Sequence, residues 1–95
     1  MIIGALVIDL KISYASSLKE KRKILNRIRD RVHAKFNVSV AEVDGNEDWN
    51  YSQVGVAVVC NEQKYANRIL SKVLDVIENI RGCELTDYSM EFERI

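Results

Sequence analysis

Proline is absent from this 95-residue chain, and cysteine, histidine and tryptophan number only two, one and one. Each scarcity excludes something. A lone His33 removes His-rich metal sites and Cys/His zinc sites of ordinary spacing. Cys60 and Cys83 stand far apart with no C-x-x-C, which removes both the disulfide framework of small secreted folds and the metal-carrier motif. No apolar run approaches the roughly 20 residues a bilayer requires. Met1–Leu10 is apolar but has neither a basic leader nor a small-residue cleavage pattern, so the expectation is a cytoplasmic chain with no membrane contact. The four glycines form no G-x-G-x-x-G, G-x-x-x-x-G-K-[ST] or G-x-S-x-G, and there is no H-E-x-x-H. No catalytic residue, metal or cofactor is expected.

Charge of one sign is also lacking. Lys and Arg total 14, as do Asp and Glu, for a formal net charge of zero, which excludes a uniformly basic nucleic-acid clamp. The balance hides a split. Residues 1–35 hold nine cationic and three anionic side chains, and residues 36–95 hold five and eleven.

What is present is clear periodicity. Ile2–Ile12 alternates, with Ile2, Leu6, Ile8, Leu10 and Ile12 on one face and Ile3, Ala5, Val7, Asp9 and Lys11 on the other, the two-residue period of a strand. After the polar turn Ser13–Ser17, Ser17-Leu18-Lys19-Glu20 has the S-x-x-E form of a capping box and predicts a helix start. Leu18, Leu25, Ile28, Val32 and Phe36 continue as a helical stripe to about Lys35. Asn37–Asp44 and Tyr51–Cys60 read as strands separated by the turn-rich Gly45–Asp48. Asn61 is placed to cap a second helix striped by Ala66, Ile69, Leu70, Val73, Val76, Ile77 and Ile80, with Gly82 as its stop. Cys83–Arg94 is a fourth strand, with Tyr88, Met90 and Phe92 on one face.

The order β-α-β-β-α-β with right-handed crossovers predicts one domain over residues 1–95. Its fold class is α+β, a ferredoxin-like split βαβ sandwich with spatial order 4-1-3-2 and both helices on one face of an antiparallel sheet. In that order Cys60 and Cys83 lie at opposite ends of the sheet. An intramolecular disulfide, which needs Cα atoms about 4.4–6.8 Å apart, is not expected.

Two surfaces follow. The first helix carries Lys19, Lys21, Arg22, Lys23, Arg27, Arg29, Arg31 and Lys35 against only Glu20 and Asp30. Cations in a first turn oppose the helix dipole, and an anion docked at that end would relieve this. Lys19, Lys21, Arg22, Lys23 and Arg27 are the candidate phosphate contacts, with RNA as the partner; a solvated helix face and a protein partner with an acidic patch are the alternatives. Lys21 falls within the apolar stripe and must extend past it or meet a carboxylate. The second surface is the sheet face away from the helices, where Ile3, Ala5, Val7, Ala41, Val43, Ala57 and Val59 make a small, nearly uncharged patch. It has no aromatic to stack a base, unlike an RNA-recognition motif, and is expected to be covered by a second copy in a homodimer. The acidic group Glu42, Asp44, Glu47 and Asp48 reads as edge protection. Trp49 is either a local staple or a partner contact. His33 reads as a solvated residue. The turn at Ser13–Ser17 has neither the Arg nor the Gly of a phosphate-cradling loop, so an acylphosphatase-like enzyme is not expected.

Ser17-Leu18-Lys19-Glu20-Lys21-Arg22, then Phe36-Asn37-Val38-Ser39-Val40-Ala41-Glu42-Val43, Trp49 and Gly55-Val56-Ala57-Val58-Val59 with Asn61, resemble the YlxP-like family of small bacterial proteins along essentially the whole chain. The family often has Ser where this chain has Cys60, which speaks against a catalytic thiol. The resemblance implies a ferredoxin-like fold and no established enzyme activity, and it carries over no catalytic residues. It also implies a role around translation or ribosome maturation, with ribosomal RNA or a ribosomal subunit as the partner, because the family's genes often lie beside those of translation initiation factor two and ribosome-binding factor A.

Overall fold

The computed structural model describes residues 1–13 and 15–95, so Tyr14 of the expected turn lies outside the described residues. The elements are β1 (Ile2–Ile12), α1 (Leu18–His33), β2 (Ser39–Asp44), β3 (Tyr51–Cys60), α2 (Gln63–Glu78) and β4 (Cys83–Arg94). They form one four-stranded sheet in the order β2-β3-β1-β4 with antiparallel neighbours. This is the expected α+β ferredoxin-like topology. Among the described residues, no helix is long and apolar enough to cross a membrane.

Strand β1 is central because its even-numbered residues are apolar over eleven positions, enough to pair along two partners at once. Ile2, Leu6, Ile8, Leu10 and Ile12 are buried. They meet Val54, Val56 and Val58 of β3 and Ala66, Leu70, Val73 and Ile77 of α2 in one core. Helix α2 lies across β1 closely enough that a Cβ on Gly4 would sit 3.1 Å from both Ala66 and Leu70. Cys60 is opposite Ile2 and Cys83 opposite Ile12. The two free thiols are thus at opposite ends of β1, as the topology demands.

The capping box forms with one shift. Ser17 Oγ accepts from the Glu20 amide at 3.2 Å, but the Glu20 carboxylate reaches one residue further back than expected, accepting from Ser16 N at 2.8 Å and Ser16 Oγ at 3.0 Å. These two bonds, the backbone one first, hold the Glu20 carboxyl below the ordinary glutamate range. A carboxylate with a lowered pKa contributes fully at neutral pH and loses that contribution as pH falls through the lowered value. Glu20→Gln should therefore lower Tm at pH 7, and the difference in Tm between the two proteins should shrink as pH falls through the lowered value.

Four boundaries differ from expectation. Strand β2 begins at Ser39, two residues after the expected Asn37. Helix α1 ends at His33, capped by Ala34, because the chain turns there and Phe36 N donates to Val32 O at 2.8 Å. His33 is exposed, but its Nε2 lies 3.0 Å from Val38 O, so it tethers the turn and is more than a solvated residue. Asn61 does not cap α2. Glu62 holds that position and makes no side-chain cap bond. Gly82 does not stop α2, which ends at Glu78 with Asn79 as its cap. Gly82 instead takes φ +96° in the turn into β4, and a Cβ there would stand 3.1 Å from Ile24 Cδ1. A left-handed backbone costs an L-residue about 1–2 kcal/mol, so Gly82→Ala should lower Tm by about 5–10 °C in a domain of this size.

Candidate nucleic-acid interface

Helix α1 buries Lys21, Ile28 and Val32 and half-buries Ile24 and Leu25 against the core. Everything basic on it except Lys21 is exposed. Lys21, placed in the apolar stripe by its helical angle, is 1% exposed. Its ammonium sits 2.8 Å from Glu42 Oε2 and donates to the carbonyls of Gly45 and, at 2.7 Å, of Asp48. Glu42 Oε2 also accepts from Ser52 Oγ at 2.6 Å. Glu42 is opposite the buried Val54, on the sheet face that the helices cover. It is therefore turned inward, away from the loop carboxylates with which it was grouped from the sequence.

One expectation is corrected here. Lys21 is not a phosphate contact, because all three of its donors are engaged inside the protein. It is the strut that fixes the β2–β3 loop beneath α1. At the helix start Ser17 caps the Glu20 amide and the Glu20 carboxylate turns back to Ser16, and the exposed cations present a flank.

That flank is regular. Lys19, Lys23, Arg27 and Arg31 follow one another at four-residue steps, and Lys35 continues the step into the turn after α1. Four residues rise about 6 Å and drift about 40° around the axis. The row crosses the outward face of the helix and arrives at the groove between α1 and α2, where Arg31, Ala34, Lys35, Asp75, Val76 and Asn79 line a recess of about 390 Å³. Among the described residues, the ion pairs are Lys21–Glu42 and Lys64–Glu62, and none involves this row. Arg27 Nη1 donates to Arg81 O at 3.3 Å. Arg22 is exposed on the side toward β2, where it lines a recess of about 240 Å³ with Leu18, Leu25, Asn46 and Glu47. Of the five contacts expected from the sequence, Lys19, Lys23 and Arg27 share the outward row, Arg22 flanks it and Lys21 is removed. Arg31 and Lys35 join the row. Their i, i+4 spacing was readable in the sequence.

The second surface is also as expected in position. Ile3 pairs with Val59, Ala5 with Ala57 and Val7 with Gly55, while Ala41 lies beside Gly55 from β2. The absent side chain at Gly55 admits Val43, whose Cγ1 would be 3.0 Å from a Cβ there. Ala5, Val7, Ala41, Val43, Gly55 and Ala57 line an apolar trough of about 290 Å³, with Val43 54% exposed in it and Val59 66% exposed on the same face. The expectation of a nearly uncharged face is overturned by β4. The register places Glu93 beside Ile3, Glu91 beside Ala5 and Asp87 beside Asp9 on this same face. Among the described residues none of these three forms an ion pair. Trp49 is 53% exposed on the loop fixed by Lys21.

Comparison with known proteins adds a family. The profile of a family described as "Protein of unknown function (DUF503)" matches residues 3–90. The chain belongs to the DUF503 family. The uncharacterized protein YlxP of Bacillus subtilis (strain 168) is 39% identical over 72 residues, covering 76% of this chain and 78% of YlxP. This DUF503 chain is thus YlxP-like, as its motifs suggested. Among solved structures it resembles a de novo designed protein with ferredoxin fold, LFR1 1, at TM-score 0.57 and 14% identity over 98% of this chain and 84% of that one. It also resembles the ACT domain from GTP pyrophosphokinase of Chlorobium tepidum at TM-score 0.56 and 12% identity, over 94% and 96%. These likenesses establish the fold alone. A fold shared with a designed protein carries no function with it, so function has to be argued from the surfaces.

Proposed function

We propose that this DUF503 protein is a non-enzymatic RNA-binding protein that holds a phosphate backbone along the α1 row. The supporting observation is the row itself: Lys19, Lys23, Arg27, Arg31 and Lys35 exposed at four-residue steps with no carboxylate partner among the described residues. Like charges at i, i+4 destabilise a helix by about 0.2–0.5 kcal/mol per pair, and Lys19 in the first turn also opposes the dipole. An isolated helix gains nothing from such a row, whereas a bound polyanion neutralises it. Ribosomal RNA in the cytoplasm is the target class, in keeping with the gene neighbourhood that the YlxP-like resemblance implies. The acidic β4 on the far side of the sheet repels a wrapping backbone, so contact is confined to α1.

The test is binding of purified protein to ribosomal subunits and to naked ribosomal RNA at two salt concentrations. Wild type is set beside Lys23→Glu/Arg27→Glu/Arg31→Glu, a variant that spares Lys21 and hence the fold. Wild type should bind and the variant should not. Equal binding by both, or by neither, refutes the reading.

A further inference from the structure

The open sheet face is a second surface that RNA binding does not use. We propose that it docks an amphipathic helix of a partner protein, whose apolar stripe lies on β1, β3 and β2 and whose cationic flank lies over β4.

The apolar half of the site is the trough formed by Ala5, Val7, Ala41, Val43 and Ala57. Its strands are interior or paired, and the backbone groups of β1 and β3 are consumed by ladders on both sides. Only side-chain contact remains possible on this face. That favours a helix, whose backbone is satisfied internally, over an extended peptide, which would seek the edge of β2 or β4. Strands are about 4.8 Å apart and a helix is about 10 Å across. A helix seated between β1 and β3 has its axis about 7 Å from β4, so long side chains on that flank extend over β4.

The acidic half states the charge of that flank. Asp87, Glu91 and Glu93 point to this face from β4, and no cation pairs with them among the described residues. Two strand residues span about 6.6 Å and one helical turn about 5.4 Å, so Lys or Arg on successive turns of a helix running along β4 would reach the row. A second copy of this chain fits poorly. Its own open face has the same carboxylates and one cation, Lys11, beside Glu84 at the far end of β1, so a face-to-face pair would bury several carboxylates with little cationic charge to offset the desolvation.

The probe is a synthetic helical peptide with leucines at i, i+3, i+4 and i+7 and lysines along one flank, compared with the same peptide bearing glutamates in place of the lysines. Amide chemical shifts of the isotope-labelled protein map the site, and calorimetry at two salt concentrations measures affinity. The lysine peptide should shift Ala5, Val7, Ala57 and Glu91. Its affinity should fall about tenfold with Glu91→Lys/Glu93→Lys and about tenfold with Ala57→Asp, all at exposed positions. The glutamate peptide should bind at least about tenfold more weakly. Circular dichroism confirms that the variants are folded. Shifts confined to α1 or to the edges of β2 or β4 overturn the proposal, as does an affinity indifferent to charge reversal. It is equally overturned if sedimentation at tens of micromolar shows a dimer that Ala57→Asp dissociates, since the occupant is then a second copy.

Discussion

Lys21→Met should destabilise the domain by about 3 kcal/mol, the range for removing one partner of a buried ion pair. In a domain of this length that corresponds to a Tm lower by about 12–24 °C. The size follows from what is left behind. Glu42, whose side chain is 18% exposed, is left with Ser52 as its hydrogen-bond partner, the Asp48 carbonyl loses its donor, and the Gly45 carbonyl keeps only the Asp48 amide. Methionine matches the length of the lysine stem, so the loss is chiefly polar. Lys21→Met/Glu42→Leu should be less unstable than the sum of the two single variants by more than about 1 kcal/mol, because a buried pair exchanged whole for apolar groups costs much less than a pair broken. Recovery should be incomplete, since the Asp48 carbonyl stays unpaired while the Gly45 carbonyl keeps only the Asp48 amide. Urea unfolding of the four proteins measures this, and strictly additive changes would remove the coupling. The penalty should also be insensitive to salt, in contrast to anything contributed by the exposed row. One practical consequence is that a charge reversal spanning Lys21, Arg22 and Lys23 tests folding rather than binding.

The second large effect concerns the row. If four of its cations each neutralise one phosphate, log K should fall against log salt with a slope of about −3, at about 0.7–0.9 per contact. Between 50 and 200 mM salt the affinity for RNA should then drop about a hundredfold. The triple reversal Lys23→Glu/Arg27→Glu/Arg31→Glu should flatten that slope to near zero and weaken binding at 50 mM by at least about a hundredfold. Neutral variants add a readout of opposite sign. Lys23→Gln/Arg27→Gln removes like-charge neighbours on α1 and should raise the stability of the free protein by a few tenths of a kcal/mol while weakening RNA binding. A row that served only as a solvated face would show the first change without the second. Arg22→Gln, on the flank beside Glu47, should matter less than either row residue. Filter binding across a salt series and thermal melts of the same samples supply both halves.

Much of the molecule was readable from local pattern. The two-residue alternation in Ile2–Ile12 and Tyr51–Cys60 and the stripes of α1 and α2 specify which faces are buried, because strand and helix periods are properties of the backbone. The S-x-x-E box marked the start of α1 for the same reason. Lys21 stood out as a cation inside an apolar stripe before any partner for it was known. Even the acidic side of β4 follows by parity from Tyr88, Met90 and Phe92 facing the other way.

The tertiary structure decided what depends on pairing between distant segments. Glu42 reads as one of four loop acids until the register sets it opposite Val54 beneath α1, where it receives Lys21 from 21 positions earlier in the chain. Gly82 reads as a helix stop, but the chain leaves α2 earlier and uses that glycine to pass Ile24. The pairing of β4 with β1 carries a register shift between Asp9 and Leu10, so Leu85 faces the core with Leu10 while Asp87, Glu91 and Glu93 face outward beside Ile3, Ala5 and Asp9. Sequence by itself determined the fold and which residues are apolar or charged, since those depend on neighbours along the chain. Only the assembled sheet determined which charges are struts and which are free to meet a partner, because burial and ion pairing are set by residues that sequence distance separates.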